Sequence, residues 1–119
     1  VIQWDKDDLD EVGLLKVGRH FRTGGCKIVC ARDEAECDAL RRRAGADELL
    51  FEAVDCMGPV VLLAGAPDAA AVCLATEIAA AYSDGEVGGA VAVKCWNGSG
   101  ETFSQVTRGG RAALQAFRV

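Results

Sequence analysis

The sequence lacks the patterns by which enzymes, metal proteins and membrane proteins are usually recognised. Its 119 residues contain no Walker loop, no catalytic triad and no cysteine spacing that fits a common metal site. The longest apolar stretch, residues 60–74, is interrupted by Gly65, Pro67 and Asp68, so no segment is continuous enough to cross a bilayer. We therefore expect no membrane partner, no metal and no cofactor, and we assign no catalytic residue.

Cysteine, in contrast, is abundant. The six cysteines are Cys26, Cys30, Cys37, Cys56, Cys73 and Cys95. No two of them form a Cys-x-x-Cys pair, and Cys30, Cys73 and Cys95 sit within apolar runs, where a free thiol behaves as a small hydrophobe. We expect buried free thiols rather than disulfides, because a chain of this length can be stabilised by an apolar core without covalent cross-links.

The length of the chain fits one domain with a core of its own. Most of the net charge of −5 comes from residues 1–12, where five acidic residues stand against Lys6. We interpret residues 1–12 as an acidic linker and residues 13–119 as a single domain. Because the chain starts at Val1 rather than at a methionine, we expect a domain excised from a longer protein. We also expect that the protein is cytoplasmic.

Strand patterns recur along most of the chain. Short apolar runs bounded by turn residues predict buried strands. Alternation of apolar and polar residues with a period of two predicts strands with one solvent-exposed face. In residues 13–22, Phe21 points one way while His20 and Arg22 point the other. The Gly24-Gly25 and Asn97-Gly98 steps predict hairpin turns. The six predicted strands cover residues 13–22, 26–31, 49–54, 60–64, 90–96 and 102–107.

Two main helices are predicted between these strands. The first begins at Asp33, which together with Glu36 three residues later forms a capping-box pattern, and it ends near Gly45. The second covers residues 69–83, where alanine dominates and apolar side chains lie almost all round, so we expect it to be buried across the sheet. Helices between strands allow crossover connections. The pattern predicts an α+β domain with a mixed sheet of about six strands and two helices packed on it.

Residues 48–62, with the sequence ELLFEAVDCMGPVVL, resemble the signature of the RNA-binding domain family called NFACT-R. In that signature an acid and an aliphatic residue precede aromatic residues, a histidine and a glycine that is followed by a strand. Phe51 stands at an aromatic position, Glu52 at the position of the family histidine, and Gly58 at the position of the glycine. The resemblance implies that these residues are signature positions of the fold.

Other parts of the chain extend this resemblance. An alanine-rich helix ending in Tyr82-Ser83 is similar to a helix of the family, and Ala31-Arg32-Asp33 stands where the family has a Gly-Arg-Asn or Gly-Arg-Asp step. The opening residues 14–22, LLKVGRHFR, resemble a diverged branch that is attached to ATP-pyrophosphatase (PP-loop) domains of the tRNA thiouridine-synthase type. The family's basic Lys-Gly run is replaced here by Asn-Gly-Ser-Gly at residues 97–100.

The resemblance implies a non-catalytic accessory domain that holds a tRNA, or another structured RNA, for a PP-loop catalytic domain of the parent chain. Phosphate contacts require Lys or Arg on one face. The residues expected to supply that face are Lys16, His20, Arg22, Lys27 and Arg32. Arg32 is the foremost candidate, because a helix N-terminus also favours anions. The alternative is that Arg32 forms a structural ion pair with Asp55 or Glu52.

Two other classes of function stay open. Glu52 cannot donate a hydrogen bond to phosphate when it is ionised, and the basic run is missing, so the domain is alternatively a docking or dimerisation module, for example a homodimer. A small thiol-dependent enzyme is the third class. A reactive thiol needs a lowered pKa, for which Cys26 with His20 nearby is a better candidate than Cys56, whose neighbour Asp55 disfavours the thiolate.

Overall fold

Six strands form a single sheet in the computed structural model, which describes residues 18–45, 48–65 and 68–118. The strands are β1 (Arg19–Thr23), β2 (Cys26–Cys30), β3 (Leu49–Ala53), β4 (Val61–Ala64), β5 (Ala90–Asn97) and β6 (Gly100–Thr107). The helices are α1 (Glu34–Arg43), α2 (Ala69–Ala81) and a terminal 3₁₀ helix (Arg111–Phe117). In space the strands follow the order β1-β2-β4-β3-β5-β6.

The predicted α+β class, the six strands and the two main helices are confirmed, whereas the prediction of a mixed sheet is wrong. Every neighbouring pair among these strands is antiparallel. The helix α1 does connect two strands that run in the same direction, β2 and β3, but β4 lies between them and is antiparallel to each. In the same way, β3 separates the strands that α2 connects. Crossover helices therefore occur here without parallel pairing.

The helix α2 covers one face of the sheet and closes the larger part of the core. The strand side chains that face it are almost fully buried, notably Phe21, Ile28, Phe51, Leu63 and Val93. Asp68 caps the helix by accepting a hydrogen bond from the backbone N–H of Ala71 at 2.8 Å. Eight residues of α2 are buried, most of them alanine, so the expected burial of this helix is confirmed.

The helix α1 lies on the opposite face, where it closes a second, smaller core. Its Leu40 packs there with Leu62 of β4 and Val29 of β2. Asp33 caps the helix, since its carboxylate accepts a hydrogen bond from the N–H of Glu36 at 2.9 Å. The capping-box pattern thus predicted the start of α1 correctly. The helix ends at Arg43, close to the predicted end.

The alternation predicted for β1 is confirmed over the described part of that strand. Phe21 is buried against α2, whereas His20 and Arg22 point to the face that carries α1. The start of the predicted strand, residues 13–17, and the acidic linker at residues 1–12 lie outside the described residues. None of the helices in the described ranges combines the length and the apolar composition that a bilayer span requires.

All six cysteines carry free thiols, and three of them are less buried than predicted, Cys73 most of all. Cys26, Cys30 and Cys37 are buried and Cys56 and Cys95 are half-buried, but Cys73 is exposed. The helical period explains this error: the apolar stripe of α2 runs through its buried face, and Cys73 falls on the outer face although its neighbours in sequence are apolar.

Candidate nucleic-acid interface

A cleft of about 580 Å³ opens at the end of the sheet where β2 and β6 finish and β1 begins. Its walls are the turn after β2, the loop that precedes β4, the turn after α2 and the segment that follows β6. Four arginines line it: Arg19, Arg32, Arg108 and Arg111. We refer to this site as the four-arginine cleft.

Tyr82, the residue that ends α2, lies within this cleft beneath two guanidinium groups. The Cζ atoms of Arg19 and Arg111 are 4.7 Å and 4.6 Å from the centre of its ring. The ring also meets Phe21 edge to face at a centroid distance of 6.3 Å, which ties it to the core. Cation–π stacking holds a guanidinium in place without using its N–H donors, which lie in the plane of the group.

Two of the arginines are fixed against the last carbonyl groups of α2. Arg108 donates from Nη2 to the carbonyl oxygen of Ala81 at 2.8 Å and from Nε to that of Ala80 at 3.2 Å. Arg111 donates from Nε to the same Ala81 oxygen at 3.2 Å. Cations at a helix C-terminus complement the helix dipole. Each guanidinium has five N–H donors, so these contacts orient the groups and leave donors for a ligand.

Arg32 forms a close ion pair with Glu36 across the first turn of α1. Its Nη2 lies 2.6 Å from Glu36 Oε2, and its Nε and backbone N–H donate to Oε1 at 3.0 Å and 2.8 Å. The hydrogen bonds from Arg32 lower the pKa of Glu36 to about 2. The side chain of Arg32 remains 50% exposed, so one side of the guanidinium faces the cleft and solvent.

The structural partners that we considered for Arg32 were wrong. Glu52 accepts a hydrogen bond from Arg41 at 3.3 Å instead, and the carboxylate of Asp55 lies 3.3 Å from the backbone N–H of Ala92. The actual partner is Glu36, because an arginine directly before the N-cap lies one helical turn from that carboxylate.

Three acidic residues also line the cleft, and two of them have structural roles. The carboxylate of Asp33 caps α1, and that of Asp84 accepts a hydrogen bond from the backbone N–H of Met57 at 2.9 Å. Glu34 is exposed, with Arg41 at 4.0 Å. Four guanidinium groups thus stand against these three acids, and a fourth carboxylate, that of Glu36, pairs with Arg32 beside the cleft.

The structure divides the predicted RNA-binding residues between two places. His20, Arg22 and Lys27 lie on the α1 face of the β1–β2 hairpin, where Arg22 and Lys27 are directly opposite in register. We refer to these three residues as the hairpin cluster. Arg32 lies at the far end of β2, in the four-arginine cleft. Lys16 lies outside the described residues.

Three of the five signature residues meet at the cleft. Gly58, Tyr82 and Ser83 line it, whereas Phe51 is buried in the core and Glu52 lies on the α1 face. A Cβ atom on Gly58 would lie 3.0 Å from Cβ of Ser83, so glycine lets the loop before β4 lie directly against the end of α2. The hydroxyl of Ser83 is turned inward and donates to the carbonyl of Ala80 at 2.6 Å.

Three arginines of the cleft, Arg19, Arg108 and Arg111, are not among the predicted site residues. Arg19 begins β1, Arg108 directly follows β6, and Arg111 begins the 3₁₀ helix. Charged residues are common at such positions, so no local sequence pattern distinguishes these three. Their proximity results from the segment after β6, which contacts the C-terminal end of α2 through Arg108 and Arg111 and then reaches β1, where Arg118 bridges Phe21. Only the folded chain brings residues near position 19 and position 110 to the same ring.

The proposed thiol–base pair is wrong. In the β1–β2 register, His20 is opposite Val29, and its side chain points to the α1 face. Cys26 is buried in the core on the α2 face, so the sheet separates the thiol from the imidazole. Burial raises the pKa of Cys30 to about 12, although Arg19 beside it favours the thiolate. No group of metal-ligating side chains occurs within the described ranges of the chain.

Arginines clustered on one surface of a domain are a feature that nucleic-acid-binding domains present. Residues 18–118 match the NFACT protein RNA binding domain family, and the chain belongs to that family. Membership supports a general role in RNA binding, and RNA is accordingly the partner that the family implies.

The fold is shared with a structure that has been solved experimentally. It is the C-terminal part of the fibronectin/fibrinogen-binding protein from Streptococcus suis, with a TM-score of 0.75 and 18% identity. The similarity covers 96% of this chain and 59% of that chain, so this chain spans less than two thirds of the solved one. At this identity the likeness shows the fold alone. No curated protein matches the chain.

Proposed function

We propose that this domain binds a tRNA, or another structured RNA, through the four-arginine cleft and holds it for a catalytic domain of the same parent protein. The observation that carries the proposal is the convergence of four arginines on one cleft, two of them stacked on the ring of Tyr82. Arginine presents a planar fork of donors that matches a phosphate in bidentate geometry. Four such groups in one cleft suit consecutive phosphates of an RNA backbone.

The contacts within the cleft favour recognition of the backbone over recognition of bases. Two guanidinium groups already lie over the Tyr82 ring, so the ring holds cations rather than a stacked base. The carbonyl groups of α2 orient Arg108 and Arg111 before any ligand binds. Contacts of this kind position an RNA without reading its sequence, and specificity then comes from the shape of the RNA and from the parent protein.

The finer part of the proposal is that the parent is a cytoplasmic tRNA sulfur-modification protein with a PP-loop domain. It is supported by the resemblance of residues 14–22 to the branch that is attached to such domains. In this arrangement the accessory domain contributes affinity, and the catalytic domain contributes the reaction. The full-length sequence of the parent tests this part, since a PP-loop domain in the same chain is expected.

The cleft is tested by measuring fluorescence anisotropy of a labelled tRNA over a range of salt concentrations. The variants Arg19→Ala and Arg32→Ala are expected to weaken binding and to reduce the magnitude of the salt slope by about 1 each. Arg42→Ala is the matched control, because it removes the same charge from the exposed side of α1. Circular dichroism confirms that each variant is folded.

Three outcomes count against the cleft. Absence of tRNA retention at low salt overturns RNA binding by this domain. If Arg42→Ala and Arg19→Ala lose the same affinity for tRNA, net charge alone determines the binding. If only Arg22→Ala and Lys27→Ala lose affinity for tRNA, the RNA interface is the hairpin cluster and not the four-arginine cleft.

A further inference from the structure

The two edges of the sheet differ in how they are protected against pairing with another strand. At the β1 edge, Arg118 after the 3₁₀ helix forms an isolated antiparallel bridge with Phe21. At the other edge, β6 is eight residues long, and all of its residues except the half-buried Val106 are exposed. Within the described ranges, no strand pairs with the outer side of β6.

The strand β6 also lacks the features with which natural edge strands prevent association. Such edges are usually short, bulged, interrupted by proline, or lined with charged residues, lysine above all. The sequence GETFSQVT has neither lysine nor proline, and its single charged residue is Glu101. Its register with β5 is continuous from residue 100 to residue 107, without a bulge. Phe103, in the middle of the strand, is 61% exposed.

We propose that β6 is a pairing edge, and that its partner is β6 of a second copy of this chain, antiparallel about a two-fold axis at Phe103. This arrangement joins the two sheets into one continuous sheet that carries a four-arginine cleft on each copy. The proposal concerns a surface that the RNA-binding proposal does not use, and the two stand independently.

The self-complementarity of the strand is the argument for a second copy. With the axis at Phe103, each Phe103 is opposite its counterpart, Glu101 is opposite Gln105 of the second copy, and Thr102 is opposite Ser104. Aromatic pairs, carboxylate–carboxamide pairs and hydroxyl pairs are all favourable across strands, and no like charges meet. Moving the axis to Ser104 places Phe103 opposite Gln105 and Thr102 opposite Val106, which loses all three matches.

The contact area sets the expected strength of this pairing. Two eight-residue strands bury less than the roughly 1,000 Å² that a stable interface needs, so the dimer is weak unless the parent protein or a shared RNA adds to it. Sedimentation velocity over micromolar to millimolar concentrations, without RNA, is the suitable measurement. A reversible monomer–dimer equilibrium is expected.

Substitutions at position 105 test both the proposed register of the two β6 strands and the proposed pairing surface. Gln105→Glu places two carboxylates opposite each other and is expected to weaken the dimer several-fold, whereas Gln105→Lys creates two ion pairs with Glu101 and is expected to strengthen it. Val87→Glu and Val87→Lys make the same charge changes at another exposed position and are expected to leave the equilibrium unchanged. Phe103→Lys is expected to abolish pairing, and circular dichroism verifies folding of every variant.

A chain that remains monomeric at all concentrations overturns the proposal. So does a dimer in which the charge variants at positions 105 and 87 behave alike, since net charge then explains the effect. If Phe103→Lys leaves self-association unchanged but prevents binding of the parent's catalytic domain, the edge serves another partner and self-pairing is refuted. The variants Arg19→Ala and Arg32→Ala should not affect the dimer, so failure of this proposal is distinguishable from failure of RNA binding.

Discussion

The guanidinium of Arg19 lies 4.7 Å from the centre of the Tyr82 ring, so the first residue of β1 contacts the residue that ends α2. Arg111 reaches the same ring from the 3₁₀ helix at 4.6 Å. One aromatic side chain therefore positions two cations that belong to opposite ends of the described chain. The four-arginine cleft depends on this ring for its shape, and removing it should separate the two arginines.

The first prediction concerns Tyr82. Tyr82→Leu keeps an apolar side chain next to Phe21 but removes the π-face, and each lost cation–π contact costs about 0.5–1 kcal/mol. We expect the free energy of unfolding in urea to fall by about 1–2 kcal/mol, and affinity for tRNA to fall with it. Tyr82→Phe retains the ring and should behave like the wild type. A Tyr82→Leu variant with unchanged RNA affinity would show that the ring does not organise the cleft.

The second prediction concerns the pH dependence of stability. Because the pKa of Glu36 is lowered to about 2 when the protein is folded, its contribution to stability is present above the unfolded pKa, near 4.5. That contribution is lost as the pH falls from about 5 towards 2. We expect Glu36→Gln to be less stable than the wild type at neutral pH and to lose less stability over this acidic range.

Glu34→Gln is the matched control for this experiment, because Glu34 stands in the same helical turn and is largely exposed. Its stability should follow that of the wild type through the acidic range. Parallel unfolding curves for Glu36→Gln and the wild type between pH 5 and pH 2 would rule out a role of the Arg32–Glu36 pair in acid sensitivity.

The third prediction concerns the loop before β4. In Gly58→Ala the new Cβ would lie 3.0 Å and 3.1 Å from Cβ and Cα of Ser83, so the loop or the end of α2 must shift. Overpacking of this kind destabilises proteins by about 1–3 kcal/mol, and we expect weaker RNA binding as Tyr82 moves. Gly109→Ala, where no atom lies within 4 Å, is the control. Equal thermal stability of the two variants would contradict the close approach.

The fourth prediction concerns thiol reactivity. Cys73 is exposed on α2 and should be alkylated first at neutral pH, whereas Cys30 is buried with a pKa raised to about 12 and should react only when the protein unfolds. Mass spectrometry after timed treatment with iodoacetamide, followed by peptide mapping, gives the order. Cys26 should also be protected, because it lies in the core. Rapid alkylation of Cys26 in the folded protein would reopen the thiol-enzyme hypothesis.

Local patterns were sufficient to predict much of the fold. The capping residue Asp33 and the alanine-rich composition of α2 act over a few neighbouring residues, so they can be recognised without knowing the rest of the structure. The alternation around Phe21 predicted which face of β1 is buried for the same reason. The order of the strands in the sheet could not be predicted from local patterns, because it depends on which distant segments of the chain pair.

Neighbouring residues carried enough information to predict the α+β class, the positions of the helices and the resemblance that points to RNA, since periodicity, capping and short signatures are local properties. The folded chain was needed to show that β4 separates β2 from β3, that Arg32 pairs with Glu36, and that four arginines share one cleft. Sheet pairing and charge clustering join residues far apart in the chain, and their energies depend on distances that exist only after folding.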